Sequence, residues 1–456
     1  MNSTHLRPIA VAMTAAASVP LSLLALPATA GPPAAATASV AKPSTAVVGW
    51  NEVAGQAAVA GCLAPGNDPL HEARMYAMTH LAVHDALNSI HRRFDPYAER
   101  RRAPATASPE AAVAEAAHDV LVASLEQTRA FFGDACSDAG IAVVQSHYAD
   151  VLGHIGNGPA KRAGRAAGAR AAATILAARS ADGSATLPLV DPDYPQGTKP
   201  GQWRFTPGVP FAFEPRWGEV DLFALKKVVN VAPPLDLRSR RYAKDLNEVK
   251  ALGGVDSTAR TADQTEIARF WLESSPLAWN RIGRQLALAR GLDLWQQARL
   301  FGLLNMAMAD GYVSTFATKY ADTFWRPVTA IHEAGSDGNP RTAADPAWMP
   351  LEQTPPIPDH DSGHAVEGAT AAAVFQRFFG TDRMSFSNCT NTIPGHECGS
   401  ADPVVRHFSS FSAAARENAR SRIYVGFHFR YATEVGLGHG ALIGSYAAAH
   451  YLRPAS

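Results

Sequence analysis

Long alanine- and leucine-rich stretches, with apolar residues three and four positions apart, constrain this 456-residue chain most strongly. This spacing is typical of amphipathic helices, because it gathers the apolar side chains on one face. It predicts helices over residues 69–88, 109–132, 138–155 and 159–179, then from 262 through 316, after 362, and from 413 to the end. Patterns that indicate strands are scarce. The sequence therefore predicts an all-α fold of antiparallel helical bundles.

A proline-rich segment divides these helices into two groups. Seven prolines, mixed with aromatic residues, lie between residues 187 and 217, and this composition predicts an extended connector. We place the connector at 187–235, an N-terminal helical half at 48–186, and a C-terminal helical half with the candidate catalytic residues at 236–456. Residues 81–86 (LAVHDA) resemble residues 306–311 (MAMADG), which suggests that the two halves are related bundles.

The N-terminus has the features of an export signal. His5 and Arg7 precede an apolar run over residues 9–26, and Ala28-Thr29-Ala30 has the small residues of a cleavage site. We predict a signal peptide at 1–30 and a flexible leader at 31–47, with export to the periplasm or the medium. An uncleaved anchor is the alternative, but the run is short for a membrane span. No membrane span is expected in the mature chain.

Four cysteines follow the leader. An even number in an exported protein predicts disulfides. Cys389 and Cys398 bracket a short Gly- and Pro-containing segment, which favours a local bridge and leaves Cys62 to pair with Cys136. A zinc site is the alternative, although the cysteines do not form two CxxC pairs.

The first candidate motif is Lys319-x6-Arg326-Pro327. The 41 basic and 41 acidic residues balance, so the sequence predicts no nucleic-acid partner, and an anion site needs a local group of cations. Seven residues are nearly two helical turns, so both cations lie on one face if this segment is helical. A lysine beside an arginine suits a tetrahedral oxyanion. Two solvated surface cations are the alternative.

The second candidate motif is Ser362-Gly363-His364, at the start of a predicted helix. Ser362 is a natural N-cap, and Gly363 lets the backbone approach a ligand. Free amides at a helix N-terminus bind anions, and His364 is placed to exchange a proton. An ordinary capped helix is the alternative. His360 lies four residues before His364, as in some metal sites, but we expect it in a loop.

The third candidate motif is Ser421-Arg422-x5-His428. Six residues do not bring two side chains to the same face of a regular helix. Arg422 is therefore expected before or at the start of a helix, with His428 further along it and both turned to one pocket. Taken alone, an arginine and a histidine at this spacing are unremarkable.

Together and in this order, the three motifs resemble the signature of the vanadium haloperoxidase and type 2 phosphatidic acid phosphatase superfamily. Segments 310–312, 324–331, 337–340 and 354–356 resemble its haloperoxidase branch. Two positions depart from the pattern. Asp361 stands where the family usually has proline, and Ala432 stands where it has an aspartate that orients the third-motif histidine. A backbone carbonyl or another side chain, for example Glu434, is then expected to orient His428.

The resemblance implies a role for each motif residue. His428 is expected to be the axial ligand of vanadate, or the phosphorylated nucleophile of a phosphatase, and His364 the acid–base residue. The remaining residues are expected to hold the oxyanion, the cations by charge and the others as neutral donors: Lys319, Arg326, Arg422, Ser362 and Gly363.

The resemblance also implies the chemistry. A haloperoxidase would use vanadate, hydrogen peroxide and a halide, and Phe316 and Ile357 lie near enough to the motifs to line the halide side. An exported acid phosphatase that cleaves a phosphate ester through a phosphohistidine is the alternative, since a shared pocket does not fix the reaction. A non-enzymatic oxyanion-binding protein is the third candidate.

Overall fold

Helices make up most of the molecule. The computed structural model describes residues 44–455, and the predicted signal peptide and nearly all of the predicted leader lie outside them. Twelve α-helices run through this range: α1 (Ala46–Ala60), α2 (Pro69–Ile90), α3 (Pro109–His154), α4 (Pro159–Ala178), α5 (Arg240–Gly253), α6 (Ala262–Phe270), α7 (Ser275–Ala289), α8 (Leu294–Asp322), α9 (Pro327–His332), α10 (Gly363–Phe379), α11 (Phe411–Tyr424) and α12 (Arg430–His450). The all-α prediction is confirmed.

Two small antiparallel sheets accompany the helices. Strand β1 (Val190–Asp191) pairs with β2 (Ala212–Phe213) inside the predicted connector, and β3 (Phe386–Cys389) pairs with β4 (Val405–Phe408). The rest of residues 187–235 is extended chain and turns, with one short 3₁₀ helix (Trp217–Glu219).

Caps and glycines explain where several helices begin and bend. The Asp68 carboxylate accepts the free N–H groups of the first turn of α2, and Asp293 caps α8 in the same way. Helix α3 spans both of the helices predicted at 109–132 and 138–155, and it is kinked between them. Gly133 forms the kink with φ +82°, a conformation that favours glycine.

The main hydrophobic core includes helices from both ends of the chain. Val83 of α2, Val113 of α3, Phe301 of α8 and Phe375 of α10 are all fully buried in it. Helix α2 packs along α8, α3 along α4, and α10 along α12. Within residues 44–455, no helix is both long and apolar enough to cross a membrane.

Both predicted cysteine pairs are disulfides. Cys62–Cys136 joins the end of α1 to α3 across 74 residues, and we call it the long-range disulfide. Cys389–Cys398 joins the last residue of β3 to the cysteine nine positions further along the chain, and we call it the short disulfide. The alternative of a zinc site built from these cysteines is wrong.

Candidate active site

The two cations of the first motif come from different elements. Lys319 lies in the last turn of α8, which ends at Asp322, and Thr323 follows with a left-handed backbone (φ +44°). Arg326 then directly precedes α9. The expectation that one helix face carries both cations is wrong, because the chain turns between them.

Both cations are nevertheless buried and directed to the same place. Lys319 Nζ donates to the carbonyl oxygens of Pro358 and Asp359, each at 2.9 Å. Arg326 Nε donates to the Ile357 carbonyl at 2.6 Å. Burial, then the neighbouring Arg326, lowers the pKa of Lys319 to about 7, and burial lowers the pKa of Arg326 to about 10. Such shifts mark cations held close together away from water.

The second motif begins α10, as predicted. Ser362 occupies the N-cap position, but its side chain makes no capping hydrogen bond. Its hydroxyl is buried without a partner, as is Nε2 of His364. Ser362 therefore starts the helix by position alone, and its hydroxyl stays free for another acceptor.

In the third motif the helix carries the arginine, whereas a helix that carries the histidine was expected. Arg422 lies in the last turn of α11, and His428 lies in the loop before α12. The amides of Phe427 and His428 both donate to the Arg422 carbonyl, which closes the turn. Gly426 within it has φ +89°, and an added Cβ would lie 2.6 Å from the Gly253 carbonyl oxygen. The prediction failed because a tight turn, and not a helix, spans this interval.

A cavity of about 540 Å³ brings the three motifs together. Six of the seven predicted site residues line it: Lys319, Arg326, Gly363, His364, Arg422 and His428. Ser362, the seventh, directly precedes Gly363 and is fully buried. Phe316 and Ile357 also line the cavity, together with Val209, Phe211 and Phe213 of the connector. Sequence reasoning missed these connector residues, because no motif marks them.

The donors around this cavity fit a bound oxyanion. Arg326 Nη2, the Ser362 hydroxyl and His364 Nε2 are buried without any hydrogen-bond partner among the described residues. Buried polar atoms are rarely left unpaired, so three in one place indicate a missing partner, and two of them, on Arg326 and Ser362, are donors. Arg422 adds a third buried cation, and burial, then Arg326, lowers its pKa to about 9. Vanadate, with several charged oxygens, suits this group of donors.

Asp359 contacts the ring of His428 where the sequence offered no obvious partner. Oδ1 of Asp359 lies 2.9 Å from Nδ1 of His428, and both residues are buried. The two atoms are not aligned as a full hydrogen bond, which is common in catalytic sites before the ligand tightens the geometry. Arg326 Nη1 lies 2.9 Å from Nε2 and 3.4 Å from Nδ1 of the same ring. Because a guanidinium can only donate, the shorter contact favours a lone pair on Nε2 and the proton on Nδ1, facing Asp359.

This contact replaces the support expected from position 432. Ala432 and Asp359 line the same small cavity behind His428. Glu434, the predicted substitute, is half exposed and pairs with Arg241 instead, so that expectation is wrong. Asp359 could have been identified from the sequence as an acidic residue three positions before Ser362, in a chain that lacks the family aspartate at position 432.

Asp361, the other departure from the family pattern, is held away from the cavity. Its Oδ2 lies 2.9 Å from Nδ1 of His439, whose Nε2 contacts the Ser314 hydroxyl at 2.8 Å. Burial is the largest influence and acts to raise the pKa of Asp361, but the hydrogen bond from His439 and the charges of neighbouring groups together outweigh it, so the pKa is lowered. His360 lies in the loop, as predicted, and contacts the Ala232 carbonyl.

Both site histidines are neutral imidazoles at ordinary pH. Burial, followed by the nearby Arg326 and Lys319, holds the pKa of His428 well below its usual range. Burial and then Arg422 do the same for His364. A neutral imidazole has a lone pair for a metal, an electrophile or a proton.

Comparisons show which known proteins this chain is similar to. Residues 299–456 match the protein family described as the VCPO second helical-bundle domain. The chain is 27% identical to the vanadium chloroperoxidase of Curvularia inaequalis over 307 residues, which are 53% of this chain and 48% of that protein. It therefore spans about half the length of this relative.

Solved structures share the fold. A bacterial vanadium-dependent iodoperoxidase superimposes with a TM-score of 0.72 at 24% identity, covering 91% of this chain and 99% of that one. A holo-type bacterial vanadium-dependent chloroperoxidase gives 0.67 at 16% identity, covering 90% and 96%. The chain has the helical fold of the vanadium haloperoxidases. Residues 299–456, which contain the three motifs, are the part of the chain that matches the family model.

Proposed function

We propose that this protein is a vanadate-dependent haloperoxidase that oxidises a halide with hydrogen peroxide. The observation that carries the proposal is the cavity in which Lys319, Arg326 and Arg422 meet unpartnered buried donors beside a neutral His428. The match of residues 299–456 to the VCPO second helical-bundle domain and the similarity to the vanadium chloroperoxidase of Curvularia inaequalis support vanadate as the anion. When bound, vanadate supplies a Lewis acid that activates peroxide toward attack by halide.

Each chain residue has a distinct part in this proposal. The three cations neutralise the oxyanion without rearranging, since hydrogen bonds to backbone carbonyls already fix Lys319 and Arg326. The Ser362 hydroxyl and the Gly363 amide donate as neutral groups. Nε2 of His428 would hold vanadate, and His364 Nε2 would accept or donate a proton beside it.

Asp359 is the positioning residue for His428 in this proposal. By accepting from Nδ1, it keeps the lone pair on Nε2 and turns that atom toward the cavity. It thereby does from the loop before α10 what the family aspartate does from the helix after the histidine. Phe316 and Ile357 give the halide a partly apolar surface within the same cavity.

The test compares two reactions of the purified protein. After vanadate loading and removal of excess, we expect about one vanadium per chain and halogenation of a phenol indicator that needs both peroxide and bromide or iodide. Arg422→Ala should abolish both, whereas Arg416→Ala, an exchange on the same helix outside the cavity, should leave both unchanged. If vanadate gives no halogenation with any halide but inhibits hydrolysis of a phosphate ester, the proposal is wrong and the phosphatase is favoured.

We also propose that the protein is exported. The two disulfides support this, because such bridges persist in oxidising compartments. The expected cleavage after Ala30 is checked by N-terminal sequencing of protein from the culture medium or periplasm. Recovery of the uncut chain in the cytosol with reduced cysteines would contradict it.

A further inference from the structure

Outside the oxyanion cavity, three buried residues bring metal-binding atoms together. Asp68 precedes α2, His71 lies in its first turn, and Glu214 follows β2 in the connector. Nδ1 of His71 is 2.7 Å from Oδ2 of Asp68 and 3.4 Å from Oε1 of Glu214. One donor atom from each residue lies within 4.8 Å of the others. None of the three residues lines the oxyanion cavity.

The charges in this cluster are unbalanced. Asp68 and Glu214 are fully buried, and His71 is 4% exposed. In the part of the chain that the structure describes, neither carboxylate pairs with a lysine or arginine. Oδ1 of Asp68 accepts the amides of Leu70 and His71, which leaves Oδ2 for the cluster. A buried carboxylate without a cation is costly and has to be neutralised.

Glu214 is the clearest sign that something is missing. Within the described residues, both of its carboxylate oxygens are buried without a hydrogen-bond partner. Its backbone holds a left-handed conformation (φ +48°) that non-glycine residues seldom adopt. Nδ1 of His71 lies 3.4 Å from Oε1, but that nitrogen already faces Asp68 at 2.7 Å.

We propose that Asp68, His71 and Glu214 bind a divalent transition-metal ion, of which Zn²⁺ is the best match. Two carboxylates and an imidazole are ordinary zinc donors, and water completes the coordination. A dication neutralises both carboxylates and satisfies the free oxygens of Glu214 at once. The site is separate from vanadate and does not depend on the reaction proposed above.

The location of the site gives the metal a structural role. It joins the start of α2 to the connector, two segments far apart in sequence. Leu70 directly precedes His71, and Phe213 directly precedes Glu214. Both Leu70 and Phe213 line the oxyanion cavity. A bound ion would therefore fix this wall of the cavity, and its loss would loosen the connector first.

The experiment uses the full exported chain, stripped with chelator and free of vanadate. On titration with ZnCl2 we expect one tight equivalent per chain by calorimetry and elemental analysis, with a higher melting temperature. Glu214→Gln keeps the shape but removes a charged ligand, and it should weaken binding at least about tenfold. Glu219→Gln, an exposed carboxylate of the same segment, is the matched control and should bind as wild type.

Two results would overturn the proposal. The first is a folded wild-type chain that takes up no stoichiometric Zn²⁺, Mn²⁺ or Co²⁺, which would leave a cluster that shares protons only. The second is a Glu214→Gln protein that binds as tightly as wild type, which would assign the ion to other residues. If that variant does not fold, the visible absorption of Co²⁺ in the wild type, compared with His71→Gln, reports whether an imidazole nitrogen ligates the ion.

Discussion

Replacing Asp359 by alanine tests how His428 is oriented. The contact between Oδ1 of Asp359 and Nδ1 of His428 is 2.9 Å long and almost free of solvent. When vanadate binds we expect this contact to become a hydrogen bond, which contributes about 0.5–1.5 kcal/mol between neutral groups and about 1.5–3 kcal/mol to a charged carboxylate. We therefore expect Asp359→Ala to weaken vanadate binding roughly 10- to 100-fold, as supporting residues of metal ligands do. Lys319 keeps its partners, because it binds the backbone carbonyl of residue 359.

Adding Ala432→Asp to this variant supplies the decisive comparison. Ala432 and Asp359 line the same small cavity, so a carboxylate at 432 enters the space that Asp359→Ala vacates. The double variant should regain most of the vanadate affinity, which a merely structural defect would not do. Ala432→Asp alone should gain nothing, since it places two carboxylates together.

Equilibrium dialysis with vanadium analysis measures the affinity without relying on turnover, and inorganic phosphate serves as a competing anion. Melting temperatures establish that each variant is folded. Wild-type affinity in folded Asp359→Ala would refute the role assigned to Asp359. A folded double variant that binds no better than Asp359→Ala would refute the idea that the two positions are interchangeable.

Three further predictions concern stability. Burial raises the pKa of Glu72 to about 8, so the folded chain keeps this proton longer than the unfolded chain and stability falls as pH rises from about 5 to 8. In urea unfolding, the free energy of unfolding of Glu72→Gln relative to wild type should therefore rise by roughly 3 kcal/mol between pH 5 and pH 8. The same difference between variant and wild type at both pH values would contradict this. A Cβ on Gly440 would lie 2.0 Å from the Val366 carbonyl oxygen, so Gly440→Ala should cost about 3 kcal/mol. A Cβ on Gly438 would have no atom within 4 Å, so Gly438→Ala should raise the free energy of unfolding by up to about 1 kcal/mol. Similar effects of the two exchanges would exclude close packing of α10 and α12. Because the long-range disulfide spans 74 residues and the short disulfide nine, replacing the first by serines should cost about 4.5 kcal/mol and the second about 2.5 kcal/mol. The reverse order in guanidinium unfolding would refute the loop-entropy argument.

The sequence predicted residue identities better than local geometry. Helical periodicity identified most helices, and the three motifs named residues that the structure gathers around one cavity. What failed was the chain path between motif residues. Lys319 and Arg326 are separated by a left-handed residue, Thr323, and Arg422 and His428 by a turn closed at Gly426. Spacing alone does not distinguish a helix from such turns, because turns are decided by one or two residues and by tertiary contacts.

Asp359 was missed for a related reason. Its partner His428 is 69 positions away, beyond the reach of any periodic pattern. The connector residues Phe211 and Phe213 were missed because their place in the cavity wall depends on how an irregular segment folds back. Positions that depend on tertiary folding of loops were therefore not predictable, even where the chemistry was.

The short internal similarity gains weight from what its aspartates do. Asp85 accepts the successive amides of Tyr97, Ala98 and Glu99. Asp310, at the matching position of the second segment, accepts those of residues 223, 224 and 225. Helices α2 and α8, which carry them, pack against each other. Chance likeness between alanine-rich helices does not explain why side chains at equivalent positions each accept three consecutive amides, so these contacts support the prediction that the two segments are related. Asp310 also holds residues 223–225 of the connector, whose earlier residues line the cavity.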